Sequence, residues 1–183
     1  MPVNKQKNLL LSTLNFHNSQ ISDLPIIFKL FESAIAYQQK NGFELWPNFS
    51  DELILSEIRE NKHWKITEGN DIVCIFSVMY NDPVIWGEEK NLDAAVYLHR
   101  IAVNPEHKGK SMMRIIKDWA IEHAKQNNKR FVRMDTWGNN EHLRNYYIQC
   151  GFNYIGQQYL KNTEGLPQHY GGSVLSLFEI AVD

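Results

Sequence analysis

Two periods of apolar residues run through this chain, and together they predict its elements. Apolar and β-branched runs bounded by polar turns occur at 8–16 (NLLLSTLNF), 94–103 (AAVYLHRIAV), 130–137 (RFVRMDTW), 152–160 (FNYIGQQYL) and 173–182 (SVLSLFEIAV); each predicts a strand. Two more strands are expected around Glu68-Gly69-Asn70-Asp71, as a hairpin with a tight turn. Helical spacing marks 22–42, with Ser22 or Asp23 as cap, Pro25 in the first turn and Gly42 as the stop. It recurs after Ser50, where Leu53 to Glu60 follow a capping residue, and from Gly109, where Met112, Ile115, Ile116, Trp119, Ala120 and His123 share a face. A short helix over 140–150 is closed by Gly151. The order β-α-α-β-β-β-α-β-α-β-β predicts a mixed sheet with helices packed on it. No repeat, low-complexity tract or linker divides the chain, so one domain over 1–183 is expected.

Composition narrows the function classes. With 43% hydrophobic and 22% charged residues the chain has the make-up of a folded protein with a core. A formal net charge of -2 offers no broad basic field, so nucleic acid is not the expected partner. Cys74 and Cys150 have no ligand-like spacing, so buried thiols in a reducing compartment are expected. Lys5 and Lys7 before LLLSTL imitate a signal peptide, but Asn15 and His17 end the apolar run early. No apolar run is long enough to span a bilayer, and a cytoplasmic protein without membrane partners is the expectation.

One stretch carries candidate chemistry: NPEHKGKSMMRII, 104–116, which joins a strand to a helix through Gly-Lys-Ser. A triphosphate loop needs Gly-x-x-x-x-Gly-Lys-Ser, and Asn104 stands at the first glycine position, so that reading is rejected even though Asp135 could imitate a magnesium-holding carboxylate. The physics of the junction survives. Free backbone donors and the positive end of a helix dipole converge where an anion can sit, with Lys108 and Lys110 adding charge.

Taken together, AVNPEHKGKSMMRIIKDWA and MDTWGNNEHLRNYYIQCGF resemble the acyl-CoA-binding half of the GNAT N-acetyltransferases, over about 97–152. In that family a strand ending near Val-x-Pro is followed by Arg/Gln-x-x-Gly-x-Gly/Ala, then by an Asn, a Tyr on the same helix, and Gly-Phe. Lys108 takes the first place here, Ser111 and Met113 the two glycine places, and Asn140, Tyr147 and Gly151-Phe152 the rest. The resemblance implies an α+β GNAT fold: a central mixed, mostly antiparallel twisted sheet of six to seven strands flanked by about four helices. It also implies acetyl-CoA as cosubstrate, no metal, a small-molecule or peptide amine as acceptor, and direct transfer without an acyl-enzyme. A monomer or homodimer is expected.

Site residues follow from the same resemblance. The backbone of Lys108, Gly109, Lys110, Ser111, Met112 and Met113 would hold the pyrophosphate, with Ser111 and Met113 narrowing a cradle normally lined by glycine. The pantetheine arm would pair with Ile101, Ala102 and Val103. Asn140 would hydrogen-bond it, and Tyr147 would bind it and protonate the departing sulfur. His99 on the same strand is the candidate base, with water chains to Asp135 or Glu44 as alternatives. Phe43, Trp46 and Phe49 on one loop, Tyr170 on another and Trp137 would line the acceptor pocket. A chain of this fold that has lost catalysis and serves as a CoA-binding sensor or interaction module is the alternative. The Glu-His pairs at 106–107, 122–123 and 141–142 form no metal motif and read as solvated charge.

Overall fold

The computed structural model describes residues 14–91, 94–138, 140–160 and 174–182. Strand β1 (Leu14–Asn18) is followed by a 3₁₀ turn (Ile21–Asp23), then α1 (Leu24–Lys40) and α2 (Asp51–Arg59). The hairpin β2 (His63–Glu68) and β3 (Asp71–Met79) leads to two short helices, α3 (Pro83–Trp86) and α4 (Glu88–Asn91). Strand β4 (Ala95–Val103), helix α5 (Met112–Gln126), β5 (Phe131–Trp137), α6 (Glu141–Gln149), β6 (Asn153–Tyr159) and β7 (Val174–Ala181) complete the order. The seven strands form one mixed sheet in the order β1-β2-β3-β4-β5-β7-β6. Among the described residues no helix is long and apolar enough to cross a membrane.

The expected elements are present within two or three residues, and the differences have local causes. Residues 8–13 of the first expected strand lie outside the described residues. Ser50 caps α2, its hydroxyl accepting from the Leu53 N–H at 3.2 Å. Asp23 does not cap α1 with its side chain; its carboxylate instead accepts from the Gln20 N–H at 2.7 Å and pairs with Lys65 at 2.6 Å. Helices α3 and α4 were not expected, because four residues are too few to show a helical period. The signal for α3 was Asp82-Pro83, a cap followed by a helix-starting proline.

Two compact units divide the chain: Met1–Ser77 with Arg100–Met112, and Val78–His99 with Met113–Asp183. In the first, β1, β2 and β3 pair antiparallel, and Phe31, Ile54, Ile75 and Ala102 belong to one apolar cluster. In the second, β4 pairs parallel with β5 from Ala95↔Phe131 to Leu98↔Met134, and β7 lies antiparallel between β5 and β6. Its cluster joins Trp86, Tyr97, Leu160, Leu175 and Leu177, with Trp137 packed against it.

The first unit also buries a histidine. His63 Nδ1 lies 2.8 Å from Ser19 Oγ, and the ring meets Phe31 edge-on. Burial, reinforced by the charge of Arg100, lowers its pKa to about 4. The folded state therefore refuses a proton that the unfolded chain accepts below its ordinary value near ~6.5. Stability from this group is complete above that value and falls as the pH drops toward 4, by about 3 kcal/mol in all. Urea unfolding across this range should show the loss, and His63→Gln should flatten that part of the profile; an unchanged profile in the variant would assign the loss to other groups.

Candidate active site

In the first unit, β4 runs through Ile101, Ala102 and Val103 to Asn104, whose N–H donates to the Val73 carbonyl at 2.9 Å and whose Nδ2 donates to that of Ile72 at 3.1 Å. These two bonds anchor the start of the loop that leads to α5. Ala102 is buried, while Ile101 and Val103 are half-buried. In the loop itself Gly109 has φ 86° and Ser111 φ 51°, both left-handed. Glycine adopts this region freely, whereas Ser111 holds it at a cost of order 1 kcal/mol. Helix α5 begins at the next residue, and its first N–H groups have no acceptor within the helix.

The loop lysines are already engaged. Lys110 Nζ is 2.5 Å from Glu68 Oε2, which also lies 3.4 Å from His107 Nδ1. These contacts hold the Glu68 carboxyl below its ordinary range, with the Lys110 hydrogen bond as the leading favourable contribution. Lys108 Nζ sits 4.4 Å from the centre of the Tyr37 ring. Met113 is only 4% exposed, so its side chain is core material. The aromatic loop forms a cluster: Trp46 lies 6.3 Å from Phe31 and 5.8 Å from Phe49, and its backbone N–H donates to Gln38 Oε1 at 2.8 Å. Phe43 stacks at a tilt on Tyr37.

Arg100 is the unexpected member of this unit. It takes φ 51° within β4, its guanidinium lies 5.8 Å from the Phe49 ring, and it donates to Glu57 Oε1. Glu57, 3% exposed, accepts from the Ser77 hydroxyl on its other oxygen at 2.7 Å. No local pattern announces this network, because its members come from α2, β3 and β4.

In the second unit, His99 follows Leu98, the last residue of the parallel register with β5, and Asp135 follows Leu98's partner Met134. His99 Nε2 is 3.2 Å from Asp82 Oδ2, and Nδ1 is 3.8 Å from Asp135 Oδ1. Asp135 also acts on Tyr147. Burial pushes the Tyr147 phenol above its ordinary pKa, and Tyr146, Cys150 and Asp135 push it further. The phenol therefore keeps its proton at neutral pH. Its ring packs edge-on against Phe178 at 5.3 Å and Phe152 at 6.5 Å. Asn140 caps α6, its Oδ1 accepting from the Leu143 N–H at 2.9 Å, which leaves its amide N–H groups for other acceptors.

The model of the Acetyltransferase (GNAT) family matches residues 36–152. The chain belongs to the GNAT acetyltransferase family. Its fold recurs in solved structures. A GNAT-family acetyltransferase from Listeria monocytogenes 4b F2365 is 20% identical, with 92% of this chain and 94% of that one covered at a TM-score of 0.74. The yncA protein of Salmonella typhimurium, solved with its cofactor acetyl-CoA, is 14% identical, with 93% and 95% covered at 0.64. Spermidine N-acetyltransferase from Vibrio cholerae, in complex with CoA and spermine, is 16% identical, with 93% and 96% covered at 0.64. No curated protein matches the chain in sequence.

As a GNAT chain it departs from its family's loop in a way its backbone explains. The left-handed turn of the first glycine place is kept at Ser111 although the residue is not glycine. An added Cβ at Gly109 would meet nothing within 4 Å, so the loop backbone there is open to a ligand. Burial of Met113 keeps its side chain out of solvent.

Of the other expected residues, Trp137 packs on the second unit's core cluster, and Tyr170 lies outside the described residues. Two Glu-His pairs depart from the expectation of solvated charge: His107 contacts Glu68, and His123 stacks on Trp119 at 4.7 Å and meets the Tyr80 hydroxyl at 2.8 Å. Asp82 was missed altogether.

Proposed function

We propose that this GNAT protein, acting as one domain, transfers an acetyl group from acetyl-CoA to an amine by direct attack, with no covalent acyl-enzyme. The observation that carries the mechanism is that Asp135 bears on both His99, at 3.8 Å, and Tyr147, whose proton it helps retain. Family membership supports the general reaction, and the Vibrio cholerae relative, solved with CoA and spermine, supports a small amine as acceptor.

Bound acetyl-CoA supplies the thioester. The backbone N–H groups of Lys108 to Met113 bind its pyrophosphate, aided by the helix dipole of α5. Ile101 to Val103 pair with the pantetheine amides, with an N–H near Val103 polarising the thioester carbonyl, and Asn140 donates to the same arm. A lysine-like amine is neutral in only about one molecule per 10^3 at pH 7, a handicap of roughly 4–5 kcal/mol. His99 offsets it by taking the proton, and Tyr147 gives one to the departing sulfur. Phe43, Trp46, Trp137 and Tyr170 are the candidate contacts of the acceptor, a small-molecule or peptide amine.

Calorimetric titration with acetyl-CoA, using desulfo-CoA and ATP as controls, tests the reading. Binding of acetyl-CoA without ATP is expected, followed by acetylation in an amine screen; no binding would overturn it. In the same assay Ser111→Gly is expected to tighten acetyl-CoA about 5-fold, equivalent to roughly 1 kcal/mol, because a cradle without that Cβ lets the backbone approach the pyrophosphate more closely. Equal affinity in the variant would show that Ser111 costs the cradle nothing.

A further inference from the structure

Two carboxylates and an imidazole meet in the second unit, although no motif joins them in sequence. Continuing the parallel register of Leu98 with Met134 puts His99 and Asp135 side by side on one face of the sheet. Asp82 reaches them from the start of α3, where its Oδ1 accepts from the Ile85 N–H at 3.4 Å and so fixes the direction of Oδ2. Asp82 Oδ2 lies 3.2 Å from His99 Nε2, and Asp135 Oδ1 lies 3.8 Å from Nδ1. The side chains of Asp82, Asp135 and His99 are 10%, 8% and 14% exposed. One ligand atom from each falls within 4.8 Å of the other two.

Proximity here is not hydrogen bonding. Asp82 Oδ2 and Asp135 Oδ1 are buried atoms that make no hydrogen bond, although a ring nitrogen of His99 stands close to each. A nitrogen and a carboxylate oxygen 3.2 Å apart but out of line for an N–H···O bond are arranged as two neighbouring ligands of one ion. With metal–ligand bonds of ~2.0–2.2 Å, such neighbours stand about 2.9–3.4 Å apart and ligands across the ion about 4.2 Å. A small rotation of one side chain therefore brings the third donor into range. Charge agrees with geometry: a proton on His99 supplies half of what two buried carboxylates require, and a divalent cation supplies all of it.

We propose that Asp82, His99 and Asp135 form a binding site for a divalent transition-metal ion of the Zn²⁺ class. One imidazole with two carboxylates suits Zn²⁺ rather than Mg²⁺ or Ca²⁺, which take oxygen ligands. The metal displaces any proton on the coordinating nitrogen and occupies its lone pair. Occupancy thus withdraws His99 from proton transfer, and Zn²⁺ inhibits acetylation. That consequence, unlike the site itself, rests on the acyl-transfer reading above.

Titration of the chelator-treated full chain with Zn²⁺ against a chromophoric competitor tests the site. One equivalent should bind, excess Mg²⁺ should not displace it, and ¹⁵N spectra of the histidine-labelled protein should shift at His99. Asp82→Asn and His99→Gln should each weaken Zn²⁺ at least about 10-fold, the least that even a partner behind a metal ligand costs. Asparagine caps a helix as well as aspartate, so α3 and the fold should persist in the first variant, which urea unfolding checks. His107→Gln, in the other unit, should bind Zn²⁺ like the native chain. No binding, native affinity in both site variants, or a loss in His107→Gln instead overturns the proposal and leaves the three residues as an ion-paired cluster. Zn²⁺ should also lower turnover of any acetylated amine, reversibly with chelator; bound Zn²⁺ that leaves turnover unaltered overturns the inhibition. If Zn²⁺ binds as expected while no amine is acetylated, the acetyltransferase reading fails and the metal site stands. If acetylation proceeds and Zn²⁺ does not bind, the site fails and the reading stands.

Discussion

Tyr147→Phe is expected to lower turnover by about 10²-fold or more while acetyl-CoA affinity changes little. The substitution removes one O–H and nothing else. The Tyr147 ring is held by edge contacts with Phe178 and Phe152 and a tilted contact with Tyr146, all of which phenylalanine keeps. Burial and the neighbouring Tyr146, Cys150 and Asp135 hold the phenol above its ordinary pKa, so it is protonated at neutral pH, and in the proposed reaction that proton passes to the departing sulfur. Without it the sulfur would leave as an unprotonated thiolate. Steady-state kinetics with any amine that is turned over, beside calorimetry of acetyl-CoA, measures the two quantities separately. Equal kcat in the two proteins would remove Tyr147 from the chemistry and leave it as core packing.

Arg100→Met is expected to cost about 3–5 kcal/mol of stability, the largest loss from any single change considered. Methionine keeps the aliphatic length beside Phe49 but leaves the Glu57 carboxylate without its cation. Glu57 is 3% exposed, so water cannot take the place of the guanidinium, and the Ser77 hydroxyl alone does not offset the buried charge. The double variant Arg100→Met with Glu57→Gln should recover most of the loss, because no charge then remains to be desolvated and Ser77 keeps an acceptor. Urea unfolding of both proteins gives the comparison. A single variant that loses less than about 1 kcal/mol would mean that the pair behaves like a solvated surface bridge. The pair also accounts for Arg100 tolerating φ 51° in a strand: its ion pair and ring contact hold a conformation that the backbone alone disfavours.

What the sequence by itself determined is what depends on neighbours along the chain. Alternation and helical spacing placed the strands and the four longer helices, Ser50 announced α2, and the Gly69-Asn70 turn announced the hairpin. The spacing of Lys108, Ser111, Met113, Asn140, Tyr147 and Gly151 was enough to suggest the GNAT family that the family match then showed. These signals are local, or are carried by a motif whose spacing the family shares.

Only the tertiary structure decided which charged side chains meet. Asp82, His99 and Asp135 come from a helix cap and two strands, and Glu57, Ser77 and Arg100 from a helix and two strands. In sequence Asp82 and Glu57 look like any surface charge. Their pairing depends on strand register and on burial that removes water as a competitor, and neither is written in the residues nearby. The same holds for Ser111 and Met113. Their departure from glycine was plain in the sequence, but that one would keep glycine's left-handed backbone and the other would turn its side chain into the core was set by the packing around the start of α5.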